Sequence, residues 1–172
     1  MELVFQKLKS PVGGLYLVAD ETSLVGVLFE NGWTAYKNSL PDRRATKGSS
    51  PILRRAERQL GEYFAGTRKI FELPLRVNGT PFQRDVWMEL AKIPYGQTVS
   101  YREQAAAIGR PNAMRAVGGT NGRNLLSIVL PCHRVIGQNG KLTGYAGGIE
   151  KKKFLLQLEG VISNSTCAMS SR

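Results

Sequence analysis

The sequence predicts an α+β, two-domain protein: a small antiparallel sheet carrying one helix over residues 1–79, then a mostly helical region over 80–160 that contains a helix-turn-helix. Three observations predict it. Three β-rich apolar runs crowd together before residue 30, helix-start signals recur from residue 80 onward, and two short helical stretches are separated only by Gly109-Arg110. A chain of 172 residues that is 42% hydrophobic can bury a real core as one larger domain or two small ones.

Leu3–Leu8, Gly14–Ala19 and Leu24–Phe29 read as strands, separated by the turn residues Ser10-Pro11-Val12-Gly13 and Asp20-Glu21-Thr22, which predicts an antiparallel meander. Residues 37–51, rich in Ser, Pro, Lys, Arg and Gly, are expected to form a loop. A helix follows: Leu53, Ala56, Leu60, Tyr63 and Phe64 recur at helical spacing opposite Arg54, Arg55, Glu57 and Arg58, and Gly66 ends it.

Thr80-Pro81 then supplies an N-cap and a proline at the first helical position, with Phe82, Val86, Leu90 and Ile93 as the buried stripe. Pro94-Tyr95-Gly96 turns the chain. Ser100-Tyr101-Arg102-Glu103 fits a capping box, and the helix it opens stops at Gly109. Pro111 is expected to restart a helix at once, running through Ala113, Arg115, Ala116, Gly118 and Gly119; its surface is small, and only Arg115 reaches far from it. The closing helix, about Glu150 to Glu159, has Lys151-Lys152-Lys153 at its positive end and Glu159 at its negative end, against the macrodipole. Ordinary surface charge explains the lysines as well as a specific role does, whereas Glu159 is expected to have a partner. Residues 161–172 are expected to be a disordered tail.

The formal net charge of +11 and pI near 10.0 point toward a polyanion, nucleic acid first, although a solvated basic face is the simpler alternative. Arg102, Arg110, Arg115, Arg123 and Arg134 share the neighbourhood of the short helices. No run approaches the roughly 18 apolar residues of a membrane span, and the first residues lack the pattern of a signal peptide. A reduced, cytoplasmic location is expected, since Cys132 and Cys167 do not form a disulfide framework.

Pro131-Cys132-His133-Arg134-Val135 is the most informative stretch, because it sets the only histidine beside one of two cysteines after the apolar run Ile128-Val129-Leu130. A buried thiol that merely packs is the bland reading. A strand stopped by proline at an edge, presenting a thiol next to an imidazole, is instead an arrangement for making thiolate where a substrate can reach it. Neighbouring side chains on a strand face opposite ways, so a bridging water between the thiol and His133 is expected. A cysteine hydrolase remains a competitor without a recognisable oxyanion hole, and no metal is expected, since two cysteines and one histidine do not make a four-ligand zinc site.

Pro-Cys-His-Arg-Val at 131–135, Arg115-Ala116-Val117-Gly118-Gly119, Asn124, and Gly144-Tyr145-Ala146-Gly147-Gly148 together resemble the methylated-DNA–protein-cysteine methyltransferases, the direct-reversal O6-alkylguanine-DNA alkyltransferases. The resemblance is strong from about Thr80 to Gly160 and looser before it. It implies a ribonuclease H-like N-terminal domain and a single-turnover protein that takes the alkyl group onto Cys132, with Glu159, His133 and a water as proton relay. Asn124 would hold the active-site turn. Tyr101 would assist departure of the guanine and rotation of the nucleotide. Arg115 would fill the vacated place in the base stack, on a DNA-facing surface of Ala113, Ala116, Gly118, Gly119 and Arg123. Val135, Tyr145 and Ala146 would line the base pocket. The implied partner is double-stranded DNA carrying O6-alkylguanine, or O4-alkylthymine, bound by a monomer able to cooperate on DNA, with no cofactor and no membrane. The alkyltransferase-like branch lacks the cysteine, so Cys132 argues against a pure lesion binder.

Overall fold

Alternating apolar positions and short turns build the first sheet as the sequence predicts. A computed structural model of the chain describes residues 1–41 and 44–163. Strands β1 (Leu3–Ser10), β2 (Gly13–Ala19) and β3 (Leu24–Phe29) form an antiparallel meander, with Val4 opposite Ala19 and Leu15 opposite Phe29. Leu15, Leu17, Val27 and Phe29 face the main core, while Val18, Val25 and Leu28 face the other way.

That second apolar face explains the first departure from expectation. It needs a cover, and α1 (Glu30–Ser39) supplies one with Trp33, which stacks on Tyr16 at 4.3 Å between centroids, and Tyr36. The helix buries no residue completely, so it left little periodic signal. The predicted loop at 37–51 also contains β4 (Ala45–Lys47), a three-residue edge strand parallel to β1, which makes the sheet mixed, ordered β3-β2-β1-β4. Helix α2 (Pro51–Phe64) is capped by the Ser50 hydroxyl, and buries Leu53, Ala56, Leu60 and Tyr63 against the sheet's inner face.

In the second half the cap signals hold. α3 (Pro81–Leu90) opens on a Thr80–Gln83 capping box and α4 (Tyr101–Ala107) on a Ser100–Glu103 one, and Gly109, at φ +74°, ends the latter in the left-handed region. α5 (Met114–Asn121) starts three residues later than Pro111 predicted, because Pro111 and Asn112 lie in a turn closed by the Ala113 N–H on the Arg110 carbonyl. α5 buries Val117, Thr120 and Asn121; Asn121 and Gln104 exchange amide hydrogen bonds of 2.7 and 3.1 Å, and the Trp87 indole donates to the Thr120 carbonyl. These buried, satisfied polar pairs fix the angle between α4 and α5.

Residues of both halves enter one core, from Leu15 and Leu60 to Leu90, Val117 and Leu155. The free edge of β3 is taken up by the second half: the Val27 N–H donates to the Leu125 carbonyl at 2.8 Å and the Ser127 N–H to Val27 at 3.1 Å. Ile128-Val129-Leu130, expected to be a strand, is a tight turn. Leu130 N–H closes on Leu126 at 2.8 Å, and Ile128 sits at φ +72°, a costly conformation for a β-branched residue. All three are buried on every side, and an all-apolar run reads alike for a strand and a packed turn. A two-stranded parallel ribbon of β5 (Val99–Ser100) and β6 (Val135–Ile136) and the closing helix α6 (Ile149–Leu158) complete the frame. Among the described residues no helix is long and apolar enough to cross a membrane. The tail from 164 onward, Cys167 included, lies outside the described residues.

Candidate active site

Asn124 is the keystone of the turn that carries the thiol. Its Oδ1 accepts the Leu126 N–H at 2.9 Å, and its Nδ2 donates to the Leu130 carbonyl at 2.8 Å and to Cys132 Sγ at 3.3 Å. Pro131, at φ −82° and ψ 68°, makes an inverse γ-turn, bonded from Cys132 N–H to Leu130 O. The chain then enters a single 3-10 turn, Cys132–Arg134. Cys132 is 5% exposed, so the thiol is buried and not at an open edge as expected. Burial pushes its pKa up, and the Asn124 amide, the Lys152 ammonium and the local N–H groups pull it back only in part.

The 3-10 turn throws His133 and Arg134 together onto Glu159, the C-cap of α6. His133 is fully buried; its Nε2 meets Glu159 Oε1 at 2.7 Å, and its Nδ1 has no partner among the described residues. Arg134 grips the same carboxylate side-on, Nε to Oε2 at 2.8 Å and Nη2 to Oε1 at 2.9 Å, while Nη1 donates to the Ile93 carbonyl. The Tyr63 hydroxyl adds a 2.7 Å bond to Oε1, and Gly96 N–H approaches Oε2. Burial works to raise the Glu159 pKa, but His133 and Arg134 outweigh it and hold the carboxyl ionised, below the ordinary carboxylate range. Burial pushes His133 down, and with the Arg134 and Lys152 charges it outweighs the pull of Glu159, so the ring is neutral near pH 7. A neutral ring places no charge beside Glu159, which makes Arg134 the cation that keeps it ionised. The tautomer follows: an ionised carboxylate only accepts, so Nε2 carries the proton and Nδ1 is a free acceptor.

Tyr101 opens α4 and donates its hydroxyl to the Thr143 carbonyl at 2.9 Å, with its ring against Gly118, where an added Cβ would stand 3.6 Å from it. Together with Arg102, Met114, Arg115, Gly119 and Gly144 they border a cleft of about 450 Å³. Val135 is buried in β6, and Tyr145 lies half-buried edge-on to Phe29 with its hydroxyl enclosed and without a partner among the described residues. Ala146 is exposed and its carbonyl accepts from Asn31.

On α5 the outward face is Met114, Arg115, Ala116 and Gly119, all exposed, with Ala113 and Gly118 half-buried at its margin and Arg123 exposed beyond it. The structure thus brings Cys132, His133, Asn124 and Glu159 into one cluster and puts Arg115 on the surface, at the cleft beside Tyr101. It removes Arg134 from the basic patch, since its guanidinium is spent on Glu159 inside the protein. Sequence reasoning missed three members: Tyr63, read as a core position; Arg134, read as surface charge; and Lys152, which is fully buried. Arg134 left a signal as a charge inside an apolar stretch beside the histidine, and Lys152 a weaker one as a lysine at the positive end of a helix.

The fold and site together define a class of protein, a helix-turn-helix unit with a buried thiol and an imidazole–carboxylate pair set behind it. A family model for the DNA-binding domain of 6-O-methylguanine DNA methyltransferase matches residues 81–161, and one for its ribonuclease-like domain matches 3–77. The methylated-DNA–protein-cysteine methyltransferase of Methanosarcina acetivorans is 49% identical over 152 residues, covering 88% of this chain and 95% of that protein. The constitutive one of Bacillus subtilis is 47% identical over 156 residues, covering 89% and 93%. The crystal structure of Mycobacterium tuberculosis OGT in complex with DNA superposes with a TM-score of 0.80 at 43% identity, covering 91% and 92% of the two chains. The chain belongs to the 6-O-methylguanine DNA methyltransferase family.

Proposed function

We propose that this protein repairs duplex DNA by accepting the alkyl group of O6-alkylguanine onto Cys132, once per molecule. The observation that carries the reading is the placement of His133, with Nε2 on Glu159 at 2.7 Å and the Asn124-held thiol on the adjacent residue. The ring's Nε2–H is committed to an ionised Glu159 and its Nδ1 lone pair is free, one residue from a thiol oriented by Asn124. The thiol proton passes to His133 through a bridging water, and Glu159 stabilises the imidazolium so formed. The thiolate attacks the alkyl carbon; the sulfur–carbon bond forms as the carbon–oxygen bond breaks, and its electron pair leaves with the guanine, which takes up a proton. Tyr101 donates toward a guanine ring nitrogen after releasing the Thr143 carbonyl.

A base in a duplex hides this carbon, so the nucleotide must be turned out at an unstacking cost of a few kcal/mol. The exposed small face of α5 suits close approach to a groove, with Arg115 as the side chain that takes the vacated place. Val135, Tyr145 and Ala146 wall the pocket that receives the base. In this reading residues 80–160 do the chemistry and 1–79 hold the Cys132 turn from behind. The protein works as a monomer in the cytoplasm and needs no cofactor.

Intact mass after mixing with a duplex containing O6-methylguanine tests the reading. A stable gain of one methyl group, absent in Cys132→Ser while DNA binding persists, is expected, because a hydroxyl is a poor nucleophile without a strong base. Binding without mass gain in the wild type would leave a lesion binder, and repeated release of methylated product a hydrolase.

A further inference from the structure

Lysine is rarely buried completely, yet Lys152 of α6 has no exposed surface. Its ammonium carries three N–H groups and meets three acceptors, all carbonyls: Val135 at 2.7 Å, Thr143 at 3.1 Å and Gly144 at 3.5 Å. Val135 begins β6 directly behind the Cys132 turn, and Thr143 and Gly144 border the cleft from the other side. The Thr143 carbonyl is shared, since it also takes the Tyr101 hydroxyl, and the Tyr101 ring lies 5.8 Å from Nζ.

None of these partners is a carboxylate. The titratable groups that feel this charge across the packed elements are Cys132, His133 and Tyr101; on its own helix Lys151 lies over Phe29 and Lys153 near Glu150. Burial pushes the Lys152 pKa down to about 8, and the thiolate of Cys132 would draw it back up. The sign of the linkage is unfavourable at neutral pH. A depressed lysine contributes its stability above the unfolded value near 10.5 and loses it as pH falls through about 8, so the charged form is held at a cost to the fold. An apolar side chain would avoid that cost, so the charge has a use in the site.

We propose that Lys152 is a positioning residue for the thiol: its ammonium ties the Val135 strand to the Thr143–Gly144 wall and favours the thiolate of Cys132. The proposal rests on Cys132 being the alkyl acceptor and deepens that reading. It also accounts for Tyr101: when the tyrosine turns its hydroxyl toward an incoming base, Lys152 keeps the Thr143 carbonyl bonded, so the wall stays in place.

Iodoacetamide alkylation of Cys132, followed by peptide mass in a Cys167→Ser background from pH 6.5 to 9.5, reads the thiolate without any DNA. Lys152→Met should slow the reaction about tenfold near pH 7.5, the change expected for one unit of thiol pKa from a nearby charge. The gap should close above pH 9, where wild-type Lys152 is itself neutral; a loss due to packing alone would persist at every pH. Superimposable profiles, or a gap independent of pH, would overturn the proposal. Should Lys152→Met not fold, Lys152→Arg decides, because its charge does not titrate in this range. Above pH 9 the arginine variant should react faster than the wild type, whose lysine is then neutral, and superimposable profiles there refute the coupling. Both readouts omit alkylated DNA, so their failure is separate from failure of alkyl transfer itself.

Discussion

His133 and Glu159 differ in kind from ordinary buried ionisable residues, because each is held in the protonation state the proposed relay needs. Both are depressed relative to the unfolded chain, which fixes the sign of their pH dependence. A group with a lowered pKa stabilises the fold above its unfolded value and loses that contribution as pH falls through the folded one. Melting temperature should therefore decline on acidification, first below about 6.5 as the unfolded chain takes up the histidine proton, and again from 4.5 down to about 2 as it takes up the Glu159 proton. His133→Gln should flatten the first decline and leave the second. A melting temperature flat from pH 8 to 5.5 in the wild type would mean that the ring is charged in the folded protein. Glu159→Gln strands the Arg134 guanidinium in the interior, and should cost about 3–5 kcal/mol in denaturant unfolding, the usual penalty for breaking a buried pair from one side.

At the scale of elements, α5 and the 143–148 segment do opposite jobs. α5 spends its inner face on Val117, Thr120 and Asn121 and leaves outside a surface with one long charged side chain. Arg115→Ala should accordingly slow repair of a duplex lesion far more than reaction with free alkylated guanine base, since the arginine is assigned to the extruded state rather than to the bond being broken. Equal losses on the two substrates, measured as single-turnover rates, would assign Arg115 to the thiol or to the fold. In the 143–148 segment Gly147 lies close against the sheet: a Cβ there would stand 2.7 Å from the Phe29 ring. Gly147→Ala should destabilise the protein by about 1–3 kcal/mol, as overpacking does. An unchanged melting temperature would show that Phe29 can move aside.

For the whole molecule, one core and one buried thiol have a joint consequence. Cys132, Asn124 and the Glu159 cluster are closed off within the same packing that joins the two halves, and a thioether has no easy leaving group. Titration with alkylated duplex should end at one alkyl group per chain. The alkylated protein should melt lower than the free one, because an added group in a close-packed site forces its neighbours apart. A yield clearly above one refutes single use; an equal melting temperature would show that the site has room for the group.

Local signals were legible wherever a few neighbouring residues suffice. Thr80 and Ser100 accept the N–H groups of the helices they open, and Leu15, Leu17 and Val27 turn inward as their alternation predicts. Adjacency in sequence likewise put Cys132 beside His133, and a carboxylate at the wrong end of a helix dipole marked Glu159 as needing a partner. What the sequence could not show is which groups meet across the fold. Tyr63 reaches Glu159 over 96 residues of chain, Arg134 turns inward because a 3-10 turn replaces the expected strand, and Lys152 is buried only because α6 packs on the Cys132 turn. α1 and β4 escaped for a related reason: each is stabilised by the sheet it covers or borders rather than by a periodicity of its own. Caps and alternation act over a few residues and are written locally, whereas the state of a buried charge is set by every element packed around it.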